Sequence, residues 1–422
     1  MTPIKIDVVA VPLSGHLYPI MDMVRPLLVD KRYKIRLFTG PQKADIARQV
    51  GFEVHTFLEN SIEEFKKVAN NEKQTNLFSA YRQISDSVDI INEVSDFLLQ
   101  EWAIEKPDIV LADFITLSPG LVCQQLQIPW ITSMATQFAI ESQDGPPCFF
   151  GGWKNEDNYW AQFRNACGRQ LTRLGKRIVA FLLRKKTARY AFKIYNEKGE
   201  ESIYSPYSIL GLGMQEVELK AGFPEHFVWA GPACSSFEQS HQLPLDLIGK
   251  GQKNILISCG TQLQWGKDNQ IEIAQRLGEL HPDCHFIVTL GNAKKMAEAP
   301  NPLTPNVTVV QYLPYTEYIP QMDFVIHHGG AGIFYNCIKY GKPALILPHD
   351  YDQPDFAVRG EVADIAYISD KKDLANICKQ FERLINRKDW FALNTLQKTF
   401  TSYHPSERLK EEIDRILSTR ES

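Results

Sequence analysis

Short runs rich in β-branched residues alternate along this chain with stretches whose apolar positions recur at helical spacing. The runs are Ile4–Val11, Lys34–Thr39, Glu53–Phe57, Ile109–Ala112 and Trp130–Ser133, and between them Ile20–Asp30 and Ile84–Glu101 read as helices. A second series follows the turn-rich segment Gly231–Gly251. Its strands are Asn254–Ser258, His285–Thr289, Val307–Gln311, Phe324–His327, Ala344–Leu347 and Ala366–Ile368, again with helices between. Strand–helix alternation of this kind builds a parallel sheet covered on both faces.

The pattern therefore predicts an α/β protein made of two doubly wound, Rossmann-like sheets in succession. Gly231-Pro232 and the polar stretch after it form the best linker, so the expected units are residues 1–235 and 236–400. Residues 401–422 are expected to form a helix that packs back on the first unit. Ligands of such sheets bind beyond the carboxyl ends of the strands, and two facing sheets place that site in the cleft between them.

Four segments carry candidate chemistry. His16 follows the first strand through a Ser-Gly turn, ahead of a helix expected to start near Pro19. An imidazole there suits general-base work, or it caps the loop. Asp113 ends the strand 109–112; it either orients an imidazole or caps the helix Ser118–Gln125. In the second half, the strand 324–327 runs into His328-Gly329-Gly330-Ala331-Gly332 and then a helix from about Ile333. Such a turn either aims backbone amides and a helix dipole at an anion or is a packing device. Asp352-Gln353 follows the next strand, where polar groups suit sugar hydroxyls. Ser258, Gly260 and Thr261 end the first strand of this half with amides and hydroxyls for a phosphate.

At His328–Gly332 followed by Asp352-Gln353-Pro354 the chain resembles the family-one, GT-B-fold glycosyltransferases, which use UDP- or dTDP-sugars. The likeness extends to His16, Asp113, Gly231-Pro232 and Ser258–Thr261. It implies an N-terminal acceptor-binding half and a C-terminal half that binds the nucleotide sugar. His16 would deprotonate the acceptor hydroxyl with Asp113 as its partner. His328, Gly329, Gly330, Ala331 and Gly332 would hold the diphosphate, with Ser258, Gly260, Thr261 and Leu313 beside the nucleotide. Asp352 and Gln353 would bind the donor sugar, and Tyr312 falls where an aromatic residue often stacks on the base. Two positions depart from the family pattern: Ile333 replaces the usual Ser or Thr, and Asn336 replaces the Glu that takes ribose hydroxyls. Asn336 can still hydrogen-bond there, without charge. The implied reaction is inverting, metal-independent hexosyl transfer to an apolar small molecule or lipid. Alternatives are transfer to carbon, a non-catalytic helper of the same fold, or a sugar-nucleotide epimerase.

Composition narrows this picture. Of the 422 residues, 44% are apolar and 23% charged, as in globular proteins, and a net charge of −4 supplies no attraction for nucleic acid. Eight scattered cysteines suggest buried free thiols rather than zinc or disulfides. No cofactor beyond the sugar nucleotide is expected, and a monomer or homodimer in the cytoplasm is. Residues 138–163 carry Phe138, Phe149 and Phe150, which either cover an apolar acceptor or form a satellite core cluster. Arg169–Lys193 holds nine cations and no acid at amphipathic spacing. It is either a solvated helix face or a peripheral contact with anionic lipid at the inner membrane face.

Overall fold

A computed structural model describes residues 2–59, 77–190, 193–235, 237, 247–260, 267–291 and 304–421. The first half contains β1 (Ile4–Val9), β2 (Tyr33–Thr39), β3 (Glu53–Thr56), β4 (Ile109–Asp113), β5 (Trp130–Met134), β6 (Ile209–Gly211) and β7 (Phe227–Trp229). They form one parallel sheet in the order β3-β2-β1-β4-β5-β6-β7. Its helices are α1 (Ser14–Val24), α2 (Pro41–Val50), α3 (Leu77–Ile104), α4 (Ser118–Leu126) and α5 (Tyr159–Leu183). Five of the seven strands are legible from sequence. β6 and β7 span three residues each, too few to show a period.

The second half contains β8 (Lys253–Ser258), β9 (Cys284–Thr289), β10 (Val307–Val310), β11 (Phe324–His327), β12 (Ala344–Ile346) and β13 (Ala366–Ile368). Their order is β10-β9-β8-β11-β12-β13, again all parallel. Besides a single helical turn at Tyr315–Tyr318, the helices among the described residues are α6 (Lys267–Leu280), α7 (Ala331–Lys339), α8 (Gln353–Val362), α9 (Leu374–Asn386), α10 (Phe391–Phe400) and α11 (Pro405–Glu421). All six sequence-predicted strands of this half are present within a residue or two at their ends.

In each sheet the chain winds outward from one central strand, then returns to that strand's other side. The crevices lie between β1 and β4 and between β8 and β11, at the carboxyl ends of those strands. Every residue of β4 and β9 is buried, as expected for strands covered on both faces.

One helix starts earlier than its sequence suggests. α1 begins at Ser14, and Pro19 lies inside it. The Leu13 carbonyl already accepts the amides of His16 and Leu17, so the first turn is closed before the proline removes a single N–H. His16 thus sits on the first turn of a helix, not in the loop before it.

The chain crosses between halves at Gly231, whose φ of 95° is left-handed and whose missing Cβ would lie 2.3 Å from the Tyr403 side chain. Tyr403 belongs to the returning C-terminal segment. Beyond it, α11 buries Leu409, Ile413 and Ile416 in the core around β1 and α1. The Ser406 hydroxyl donates to the Met23 carbonyl at 2.8 Å, and Arg415 donates to that of Tyr207 at 2.7 Å.

The halves also meet through a desolvated seam. Glu218 and Arg359 pair there with 1% of each side chain exposed. Gln137 donates to the Tyr335 hydroxyl at 3.0 Å. None of the eight cysteines is in a disulfide; Cys167 is exposed and Cys378 half-buried, while the other six are buried.

Candidate active site

At the first crevice, the end of β4 is tied to the loop after β1. The Val11 amide donates to the Thr116 hydroxyl oxygen, and that hydroxyl donates to Asp113 Oδ2 at 3.3 Å. Asp113 is 2% exposed and accepts from His16 Nδ1 at 3.2 Å. It also takes the Ile115 amide. No side chain caps the following helix, so Asp113 serves the imidazole and its own turn, not the α4 terminus. A carboxylate can only accept, which puts the neutral ring's proton on Nδ1 and the lone pair on Nε2. About a fifth of the His16 side chain stays exposed (21%). Burial works to lower its pKa, but the charge and hydrogen bond of Asp113, with Asp352 further off, raise it above the ordinary 6.5.

The second crevice is built around His328. Its Nδ1 lies 3.3 Å from the Ser258 carbonyl, which only accepts, so Nδ1 carries the hydrogen and Nε2 the lone pair. A Cβ on Gly260 would sit 2.8 Å from Nε2, and one on Gly330 2.5 Å from it. The two glycines are the slot that admits the ring. Gly329, at φ 92°, is folded beneath the Gln353 carbonyl, while a Cβ on Gly332 would meet nothing within 4 Å. The helix start at Gly330–Gly332 is therefore open. No side chain caps α7, and its first amides have no acceptor within the helix. Burial holds the His328 pKa down to about 4 and that of His327 to about 3. His327 accepts the Gly329 amide at Nδ1, at 3.0 Å, and so fixes the turn.

Asp352 joins the two crevices. It stands at the N-cap position of α8 yet accepts no bond from that helix through its side chain. Its carboxylate instead accepts from Thr136, beyond the end of β5 in the other half, at 3.0 Å. Burial raises its pKa, opposed by Thr136 and by the charge of His16. Gln353 uses its carbonyl oxygen on the His349 and Asp350 amides at 2.9 and 3.3 Å. That turn is sharp: Tyr351, between Asp350 and Asp352, has a left-handed φ of 56°. The 138–163 segment lies on the same helix start. The Phe149 amide donates to Asp355 at 2.9 Å, and Gly152 is pressed onto the Pro354 carbonyl. Burial pushes Asp355 up to about 6 even though the Phe149 amide and Arg359 oppose it.

Several sequence-predicted site residues stand elsewhere. Leu313 is 1% exposed and packs in the second core, so its side chain cannot meet a nucleotide. Phe138 is fully buried between Phe356 and the Arg359 guanidinium, which makes it a seam residue and not an acceptor contact. Asn336 is 1% exposed and spends its NH2 on the carbonyls of Cys234 and Gly332, each at 2.8 Å. It ties α7 to the interdomain crossing, with its side chain closed to solvent. Ser258 is also buried, its hydroxyl 2.7 Å from that of Tyr315; it supports His328 from beneath. Tyr312 is half-buried just past β10. Phe150 packs against Trp153 and is partly buried, while Phe149 is exposed beside Asp355. Thr261 lies outside the described residues. Thr136 was missed from sequence, because nothing in Met134-Ala-Thr-Gln137 announces a partner in the other half.

Two Rossmann-like halves, with a base-type imidazole on one and an open helix start on the other, define the GT-B architecture. Comparison with known proteins agrees. Residues 273–393 match the family model described as erythromycin biosynthesis protein CIII-like, C-terminal domain. The chain is 25% identical over 201 residues to the uncharacterized UDP-glucosyltransferase YdhE of Bacillus subtilis (strain 168), a match covering 46% of this chain and only 49% of that protein. It is 21% identical over 361 residues to the NDP-glycosyltransferase YjiC of the same organism, covering 84% of this chain and 81% of that one. The crystal structure of the glycotransferase of kitacinnamycin superposes with a TM-score of 0.75 at 19% identity, over 98% of this chain and 99% of that one. The chain has the GT-B fold, and its relatives in sequence and structure are glycosyltransferases.

Proposed function

We propose that this protein is an inverting glycosyltransferase that moves a hexose from a UDP- or dTDP-sugar to a hydroxyl of an apolar acceptor. The observation that carries the reading is that His16 pairs with Asp113 at one crevice while Asp352, from the other half, accepts from Thr136 across the cleft. His16 Nε2 takes the acceptor's hydroxyl proton as that oxygen attacks the anomeric carbon from the side opposite the diphosphate. The bond to the diphosphate breaks, and its electrons pass to the phosphate oxygen. Asp113 holds the ring's tautomer and stabilises the imidazolium that forms. The growing negative charge meets the α7 amides and dipole, with His328 beside them, so the site supplies that stabilisation without calling on a cation. In this reading Asp352 accepts from sugar hydroxyls, and exposed Phe149 offers apolar surface to the acceptor.

The test is His16→Ala. Transfer should fall by about 10²–10⁴-fold, the usual worth of a positioned base. UDP or dTDP should still raise the melting temperature as in wild type. Unchanged transfer would remove His16 from the reaction.

A further inference from the structure

On an ordinary surface helix the apolar stripe faces the core and the charges face water. α5 has the opposite arrangement. Trp160, Phe163, Leu171, Leu174, Ile178 and Phe181 recur every three, four or eight residues along one face, and each is more than half exposed. Half of all the exposed large apolar side chains among the described residues lie on this one helix. Scattered singly they would mean little; as a stripe about 30 Å long they mark a contact surface. Meanwhile several of the cations bend inward. Lys176 pairs with Glu141 at 2.9 Å and also with Glu201, Arg173 donates to the Gly199 carbonyl at 2.6 Å, and Arg169 to that of Gly145. The basic segment 169–193 is also not one helix, since α5 ends at Leu183.

Arg177, Arg184 and Lys185 stay exposed and flank the stripe near its C-terminal end, Arg184 lying over the Phe181 ring and Arg177 near that of Tyr195. No acidic residue occurs from 158 to 196. The nearest acids of α3 are engaged: Asp89 with Lys186 at 2.6 Å and Asp96 with Arg189 at 2.9 Å. A second copy docking through this stripe would bring like charges together with no acid of the helix to pair them. An anionic lipid surface matches both features, because acyl chains accept the stripe and headgroups accept the cations. No helix among the described residues is long and apolar enough to cross a membrane, so the contact is one that lies on the surface.

We infer that α5 seats this protein on anionic bilayers, with its apolar stripe in the interface. The helix runs on directly from the 138–158 segment that covers the start of α8, so seating it brings the candidate acceptor side of the cleft to the lipid.

Vesicle flotation tests this without turnover. Wild type should float with equimolar phosphatidylcholine and phosphatidylglycerol and stay behind with phosphatidylcholine alone. Leu174→Asp combined with Ile178→Asp should reduce flotation about tenfold or more, as should Arg184→Glu with Lys185→Glu. Bromine-labelled acyl chains should quench wild-type tryptophan fluorescence more than that of Trp160→Phe, a readout that needs no charged substitution. The inference is overturned if wild type fails to float, if both double variants float like wild type, or if sedimentation shows a dimer that the Asp variant dissociates.

Discussion

A buried carboxylate has raised the basicity of His16, and that has a kinetic signature. The imidazole acts as a base only when neutral, so kcat/KM should climb with pH through a value above the ordinary 6.5. Removing the anion with Asp113→Asn should move that limb to lower pH, while the maximal rate drops by about 10²-fold or more because the tautomer is no longer held. A pH–rate profile of the two proteins shows this; coincident limbs would mean that Asp113 does not tune the base. These residues were legible because one ends a buried strand and the other follows one closely, on the side where such sheets bind ligands. Leu313, Phe138 and Asn336 were misread for the converse reason. Each is buried by contacts from elsewhere in the fold, and no local pattern announces those contacts.

Among the elements, the turn from β11 into α7 does most to shape the candidate donor site. Its glycines have separate jobs: Gly329 supplies a left-handed φ, Gly330 clears the His328 ring, and Gly332 leaves the helix start open. Gly330 has an ordinary φ of −69°, so Gly330→Ala strains no backbone and acts only by displacing the imidazole. We expect it to weaken UDP or dTDP binding about tenfold, the worth of one charge-assisted hydrogen bond, with a stability change within about 1 kcal/mol. Calorimetry and urea unfolding separate the two effects. The glycine cluster was visible in the sequence and its anion-binding reading was available there. Which glycine faces the ring was not, since that depends on Gly260 arriving from β8.

The whole molecule is organised by a seam as well as by two sheets. Arg359 and Glu218 face each other across it with almost no water access, and Arg359 also covers Phe138. Arg359→Ala leaves a buried carboxylate unpaired and should cost about 3–5 kcal/mol in urea unfolding. Replacing both partners, Arg359→Met with Glu218→Gln, should recover most of that. If the single change costs under about 1 kcal/mol, the seam is not holding the halves together. Two successive sheets of parallel strands followed from the alternation of strand and helix patterns. The seam did not, because its residues are spread from 137 to 359 and meet only once both sheets exist.

The central claim is that one half grips the diphosphate while the other supplies the base. Calorimetric titration with UDP and dTDP across pH 6 to 8 tests it most directly. His328 is neutral with its lone pair at Nε2, so gripping an anion there requires a proton. Wild type should take up a proton on binding and lose affinity as pH rises, by up to about tenfold per unit. His328→Ala should lose both the proton and about tenfold in affinity, while His16→Ala binds as wild type does. Binding that is indifferent to His328, or equally damaged by either change, would contradict the division of labour.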